Sequence, residues 1–247
     1  FRHRSDPAGA ALAHAQAMKR FWREAATARS DLGWQVALDG RQIKTQGGNP
    51  LVLPNEALAD LLAGEWAAQG EEIDPASFRH RDTADFAIDV VAPDRAAAIA
   101  ALLRYAETDT LCYRADPDEP LWKRQQEVWE PLLAAFEARE GVRFQRVSGV
   151  MHRPQDAAAL EKLHTRLEKL DNFTLAALTT LASLAASLTI ALAALEPDAD
   201  GEALWGAANL EEDWQAELWG RDWEAEARRE RRKGDFLAAM VFARAKA

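Results

Sequence analysis

Residues 173–195 read FTLAALTTLASLAASLTIALAAL, without a single charge. By length this stretch could span a bilayer, which needs about 20 apolar residues. Its composition argues otherwise. Eight of its residues are Ala and six are Ser or Thr, so its hydrophobicity is modest. Leu175, Leu178, Leu181, Leu184, Leu188, Leu192 and Leu195 step by three or four, which is one stripe of a helix. The other faces are small, and such a helix can be approached closely from all sides. Asp171 and Asn172 cap its start, and Pro197 forbids its continuation. The flanks mix acids with bases rather than clustering Lys and Arg, as a membrane span would. The stretch is expected to be one buried helix at the centre of a bundle, with Leu184 on its structural stripe.

At 247 residues the chain holds one large domain or two small ones. Its one cysteine, Cys112, excludes an internal disulfide and fits a reducing compartment. The net charge of −10 argues against general nucleic-acid binding. That charge is segregated: residues 196–226 hold eleven acids and one base, Arg221, whereas residues 227–247 hold seven bases and two acids. Such blocks are solvated helix faces or a polar rim around a partner site.

Upstream of the central stretch the pattern is mixed. Residues 33–39, GWQVALD, alternate Trp34, Val36 and Leu38 against Gln35 and Ala37. Asp39-Gly40 then favours a tight hairpin turn, with residues 41–45 returning. A short strand over 51–53 follows. Pro54 and Asn55 open a helix whose Leu58, Leu62 and Trp66 fall at i, i+4, i+8. Residues 71–89 read as a loop and a short helix. Pro93 and Asp94 begin another helix, and 110–113 (TLCY) reads as a strand. The linker ADPDEP, 115–120, combines two prolines with three acids.

Beyond it the sequence turns helical. One helix runs over 121–139, with Trp122, Gln126, Trp129 and Leu133 in register and Pro131 as a kink. Another runs from Pro154 to Leu170, and two more cover about 202–220 and 221–245. The expected class is α+β: an N-terminal antiparallel hairpin sheet with packed helices, then an all-helical C-terminal bundle. Residues 1–17, which lack a secretory apolar segment, are set apart as a disordered or appended extension. Residues 18–116 form the α+β domain, with a strand over 141–147 returning to its sheet, and 117–247 the helical domain.

Catalytic signals are poor. The chain has no phosphate-binding glycine motif, no G-x-S-x-G and no H-E-x-x-H. Its five histidines never pair at i+4. Cys112 as a nucleophile needs a base and an orienter, and on a strand between Leu111 and Tyr113 it reads as a buried structural residue. His80 beside Asp82 is an acid–base pair or a surface histidine in an Arg-rich loop. These two places carry the alternative reading, a small-molecule enzyme.

The stronger signal is a recognition surface. Trp205, Trp214, Trp219 and Trp223 crowd into an acidic helical stretch, and Trp and Arg anchor protein interfaces. Leu210, Trp214 and Leu218 form a stripe, with Glu217 at its margin, four residues before Arg221. Glu217 is either in a surface ion pair with Arg221 or a carboxylate for a partner.

Several strings together carry a family likeness: KRFW (19–22), LDGR with IKT (38–45), NPLVLP (49–54), ALADLLAGEWAAQGEEIDP (57–75), AID (87–89), YAETDTLCYRA (105–115), RQQEVWEPLL (124–133) and WQAELWG (214–220). In order and spacing they resemble the assembly chaperones of the F1 part of ATP synthase that bind its α subunit. The resemblance implies an antiparallel N-terminal sheet, a helical C-terminal part, no reaction and no cofactor. It implies a chaperone that shields the apolar interface of the unassembled α subunit and yields it to the β subunit. The free protein is expected to be a monomer without stable membrane insertion, in the cytoplasm of a bacterium or the mitochondrial matrix of a eukaryote. Three departures stand out. Gln42 and Gln46 replace prolines usual in the family, RDTADF (81–86) replaces its usual loop, and Arg221 replaces an acid. Trp66, Glu217 and Trp219 match its motifs. Trp66 and Cys112 are expected to be structural, and Glu217, Trp219, Trp214 and Arg221 to meet the partner.

Overall fold

A computed structural model describes residues 18–149, 153–220 and 222–245. The extension expected over 1–17 lies outside them, as does Arg221. The class is α+β. Strands β1 (Ala25–Ser30), β2 (Gly33–Leu38) and β3 (Arg41–Gln42) form an antiparallel sheet in that order. Asp39 and Gly40 link β2 to β3 with φ of 49° and 78°, the paired positive values that a tight hairpin requires. Asp39 also accepts hydrogen bonds from the amides of Arg23 (3.0 Å) and Glu24 (2.9 Å), which fixes the chain entering β1. The alternation expected in β2 is not observed: Gln35 and Ala37 are as buried as Val36 and Leu38, because both sheet faces are covered there. Leu53 exchanges backbone hydrogen bonds with Trp34, and this close approach leaves no room for a Cβ on Gly33.

Helix α1 (Glu56–Ala67) starts where Asn55 accepts from the Leu58 amide at 2.9 Å. Its Leu58, Leu62 and Trp66 are buried in a small core with Val36, Leu38, Leu51 and Leu53. The segment read as a loop and short helix contains a 3₁₀ turn (Pro75–Ser77), α2 (Arg79–Phe86) and a π-helical turn (Ala87–Val91). From that turn Asp89 holds the 45–49 loop, accepting from Thr45 Oγ1 (2.7 Å), the Gly47 amide (2.8 Å) and Asn49 Nδ2 (2.7 Å).

Helix α3 (Arg95–Glu107) is capped by Asp94. The strand expected at 110–113 is instead a 3₁₀ turn, Thr110–Cys112, because the Asp109 carboxylate accepts from the Leu111 amide and curls the chain. Only Tyr113–Arg114 is extended, as β4, and it pairs in parallel with β5 (Val147–Ser148). The expected returning strand is thus two residues long and belongs to a separate two-stranded sheet. Nor does the interior divide at 115–120. Ile99, Leu102 and Leu111 share the larger core with Trp129 and Leu133 from beyond it.

Helix α4 (Pro120–Glu140) continues through Pro131. Its buried positions are Gln125, Trp129, Leu133, Phe136 and Glu137, so the inward face at its start belongs to Gln125 rather than the expected Trp122 and Gln126. Helix α5 (Ala157–Glu168) leads into the central stretch.

That stretch is two helices, not one. Helix α6 (Asn172–Ala185) ends at Ala186, whose φ is 48°, and α7 (Leu188–Ala193) begins after Ser187. The break is specified from elsewhere in the chain. Fully buried Asp109 accepts from Ser187 Oγ (2.7 Å) and from the Thr189 amide (2.9 Å). Thr110 donates its amide and its hydroxyl to the Ala186 carbonyl. No helix among the described residues is long and apolar enough to cross a membrane. Helix α6 is nonetheless central, packing on α2, the π turn, α3, α7 and α10 (Trp223–Arg244). Its Leu175, Leu178 and Leu181 are fully buried, whereas Leu184 is half-buried. Helices α6 and α10 join the two cores: Ala177 and Phe242 face the small one, Leu178 and Phe236 the large one.

Candidate functional site

Helices α8 (Gly201–Ala208) and α9 (Leu210–Trp219) lie between α7 and α10 in sequence and carry three of the four clustered tryptophans. The four occupy three environments. Trp205 is buried against Phe236, with the rings 5.6 Å apart. Trp214 is half-buried, with the Arg124 guanidinium 5.6 Å from its ring centre. Trp219 and Trp223 are 83% and 76% exposed, and Leu218, next to Trp219 in sequence, is 59% exposed.

Helix α4 holds this arm. Trp129 donates its indole N–H to the Ala207 carbonyl at 2.8 Å. Gln125 donates to Glu211 at 2.7 Å and accepts from the Ala115 amide at 2.8 Å, so it ties the linker to α9. Burial raises the Glu211 pKa, and its hydrogen bond from Gln125 acts against that. At the outer end Arg124 grips Glu217 with both prongs, Nη1 to Oε2 at 2.6 Å and Nη2 to Oε1 at 2.9 Å. Sequence reasoning placed Glu217 beside Arg221 and missed Arg124, which lies 93 residues away in sequence. Trp214 and Glu217, three apart on α9, share this one guanidinium.

The opposite side of α9 faces α10 across a groove of about 270 Å³, lined by Glu212, Asp213, Ala216, Trp219, Asp222 and Glu226 among others. Asp213 and Arg229 close its floor with an ion pair at 2.7 Å. Gly220, with φ of 90°, makes the turn, and Asp222 caps α10. Trp219 and Glu217 therefore serve different sides of one helix.

The remaining candidates lie elsewhere. Trp66 packs edge-on against Trp22 at 4.9 Å and at a tilt against Phe78 at 4.6 Å, with the Arg81 guanidinium 5.3 Å from its ring. Cys112 is fully buried, and burial, reinforced by the Asp109 carboxylate, pushes its thiol well above the ordinary range. A thiol so held is protonated at neutral pH and a poor nucleophile. His80 and Asp82 are two apart on α2, a spacing that turns side chains away from one another. His80 stacks on Phe242 at 6.2 Å, while Asp82 accepts from Gln46 Nε2 at 3.3 Å. Burial lowers the His80 pKa and raises that of Asp82. Among the described residues no group of three or more His, Cys, Asp or Glu is placed to hold a metal ion.

The model of the ATP12 chaperone protein family matches residues 19–137, from the start of the sheet region through most of α4. The crystal structure of Atp12 from Paracoccus denitrificans superposes with a TM-score of 0.86 at 38% identity, covering 93% of this chain and 98% of that one. The chain belongs to the ATP12 chaperone family. The crystal structure of the Atu1473 protein of Agrobacterium tumefaciens superposes with a TM-score of 0.87 at 40% identity, covering 91% of this chain and 85% of that one. Protein atp12, mitochondrial, of Schizosaccharomyces pombe is 26% identical over 209 residues, 78% of this chain and 70% of that protein. The family model ends before α9, so for the arm that carries Trp219 the ATP12 likeness rests on these longer matches.

Proposed function

We propose that this chain binds the unassembled α subunit of the F1-ATPase, covers the apolar surface meant for its β neighbour, and yields it when β arrives. Membership of the ATP12 family makes it an assembly chaperone of ATP synthase. The α subunit as client is the finer reading. The observation that carries it is the exposed Leu218 and Trp219 at the end of α9 and Trp223 at the start of α10, with carboxylates close by in sequence. Large exposed aromatics inside a polar rim are how a displaceable interface is built. A client with uncovered apolar surface aggregates unless something binds it first.

In this reading Trp219 is the anchor. Trp214 and Arg124 hold α9 at its angle, and Glu217, whose side chain is 47% exposed, presents its outer edge to the partner. Arg221, at the same turn, is assigned to the contact by position alone. The protein acts as a monomer, in the bacterial cytoplasm or the mitochondrial matrix, without chemistry on its client. Size-exclusion chromatography of purified α subunit with the chaperone tests this. A one-to-one complex that dissociates on adding β subunit is expected; separate elution of the two proteins rejects the reading.

A further inference from the structure

Six tryptophans of this chain have an arginine over the ring: Trp22 has Arg20, Trp34 Arg29, Trp66 Arg81, Trp129 Arg114, Trp205 Arg232 and Trp214 Arg124. Each guanidinium lies within 6 Å of its ring centre, where the electron-rich face attracts a cation. Among the described residues none lies over Trp219 or Trp223, the two most exposed rings of the set.

The charge beside those rings is predominantly negative. Residues 211–226 hold seven acids against the single base Arg221. In the α9–α10 groove Glu212, Asp213, Asp222 and Glu226 line the wall, and among the described residues the base lining it is Arg229, which is paired with Asp213 at 2.7 Å. Glu212 is exposed and makes no ion pair or hydrogen bond among the described residues. An open indole face beside carboxylates suits a guanidinium, which is planar, weakly hydrated and always charged. An acidic client segment would be repelled, and a purely aliphatic one would leave the carboxylates facing it without partners.

We infer that the groove between α9 and α10 takes an arginine-bearing segment of the client, its guanidinium on the Trp219 ring and its charge met by Glu212 and Asp222. This rests on the client-binding reading above and adds the chemistry of the segment bound. It also implies salt-sensitive association, because rim charges act mainly through encounter rate.

The test uses full-length protein and purified α subunit, with Kd measured by biolayer interferometry at low and high NaCl and melting curves as fold controls. Trp219→Leu keeps an apolar side chain and removes the π face, so about tenfold weaker binding is expected. Trp219→Phe should lose only about threefold. Glu212→Lys should weaken binding about tenfold or more and flatten the salt dependence. Both positions are exposed, so melting should not move. Wild-type affinity in Trp219→Leu together with unchanged binding in Glu212→Lys overturns the inference and leaves client binding standing. Absence of any α-subunit binding by the wild type overturns both.

Discussion

Arg124 of α4 and Glu217 of α9 meet in a two-pronged ion pair, at 2.6 and 2.9 Å, across 93 residues of sequence. Both side chains are more than a third exposed, at 39% and 47%. An exposed pair contributes roughly 0–1 kcal/mol to folding. Its value here is positional, since the same guanidinium also lies over Trp214.

The first prediction follows. Glu217→Gln should leave the melting temperature within about 2 °C of wild type, given so small a contribution. Protection of the α subunit should fall, because α9 loses a fixed prong and the partner loses a charge. Calorimetry and light scattering check the two halves. Full protection by the variant would make the pair purely internal.

The second concerns Cys112. Cys112→Ala should cost about 1–2 kcal/mol, as a small truncation in a packed core, and leave client protection intact. In native wild-type protein the thiol should resist a disulfide reagent until the chain is unfolded. Rapid labelling of folded protein would contradict the burial described.

Trp66→Arg is the third. A guanidinium at the Trp22–Trp66–Phe78 contact would sit in a core that Arg81 already borders at 5.3 Å. A buried unpaired charge costs several kcal/mol, a large share of a domain's stability. Urea titration should show a strongly lowered midpoint; an unchanged one would remove Trp66 from the core.

The fourth is a pH dependence. Glu65 accepts from the amides of His80 (2.7 Å) and Arg81 (2.9 Å), yet burial outweighs these bonds and raises its pKa to about 6. Burial likewise raises Asp85 to about 6. A carboxyl whose folded pKa exceeds its unfolded value binds protons more readily in the native state. Its contribution is therefore full below the unfolded value and lost as pH rises through about 6. His80, with its pKa lowered by burial, works in the opposite direction, so the test needs a variant. Glu65→Gln should fall further below wild type in melting temperature at pH 5 than at pH 7.5. An equal gap at both values contradicts the assignment.

Local sequence signals served well where the cause was local. The Asp39–Gly40 turn, the Asn55 cap and the Leu58–Leu62–Trp66 face are all set within a few residues, and each was legible. What escaped was set from afar. Nothing in 173–195 shows that Asp109 and Thr110 will bend the chain at Ala186. Nothing near Glu217 points to Arg124. The tryptophan cluster was visible as composition, but only packing separates buried Trp205 from exposed Trp219.

We propose that the exposed end of α9 shields an unassembled α subunit. The most direct measurement is light scattering of purified α subunit diluted from denaturant, with wild-type chaperone or Trp219→Ala in equimolar amount. Wild type should suppress most of the aggregation, and Trp219→Ala, with an unchanged melting temperature, should suppress little. Aggregation that proceeds equally with and without the wild-type protein would contradict it.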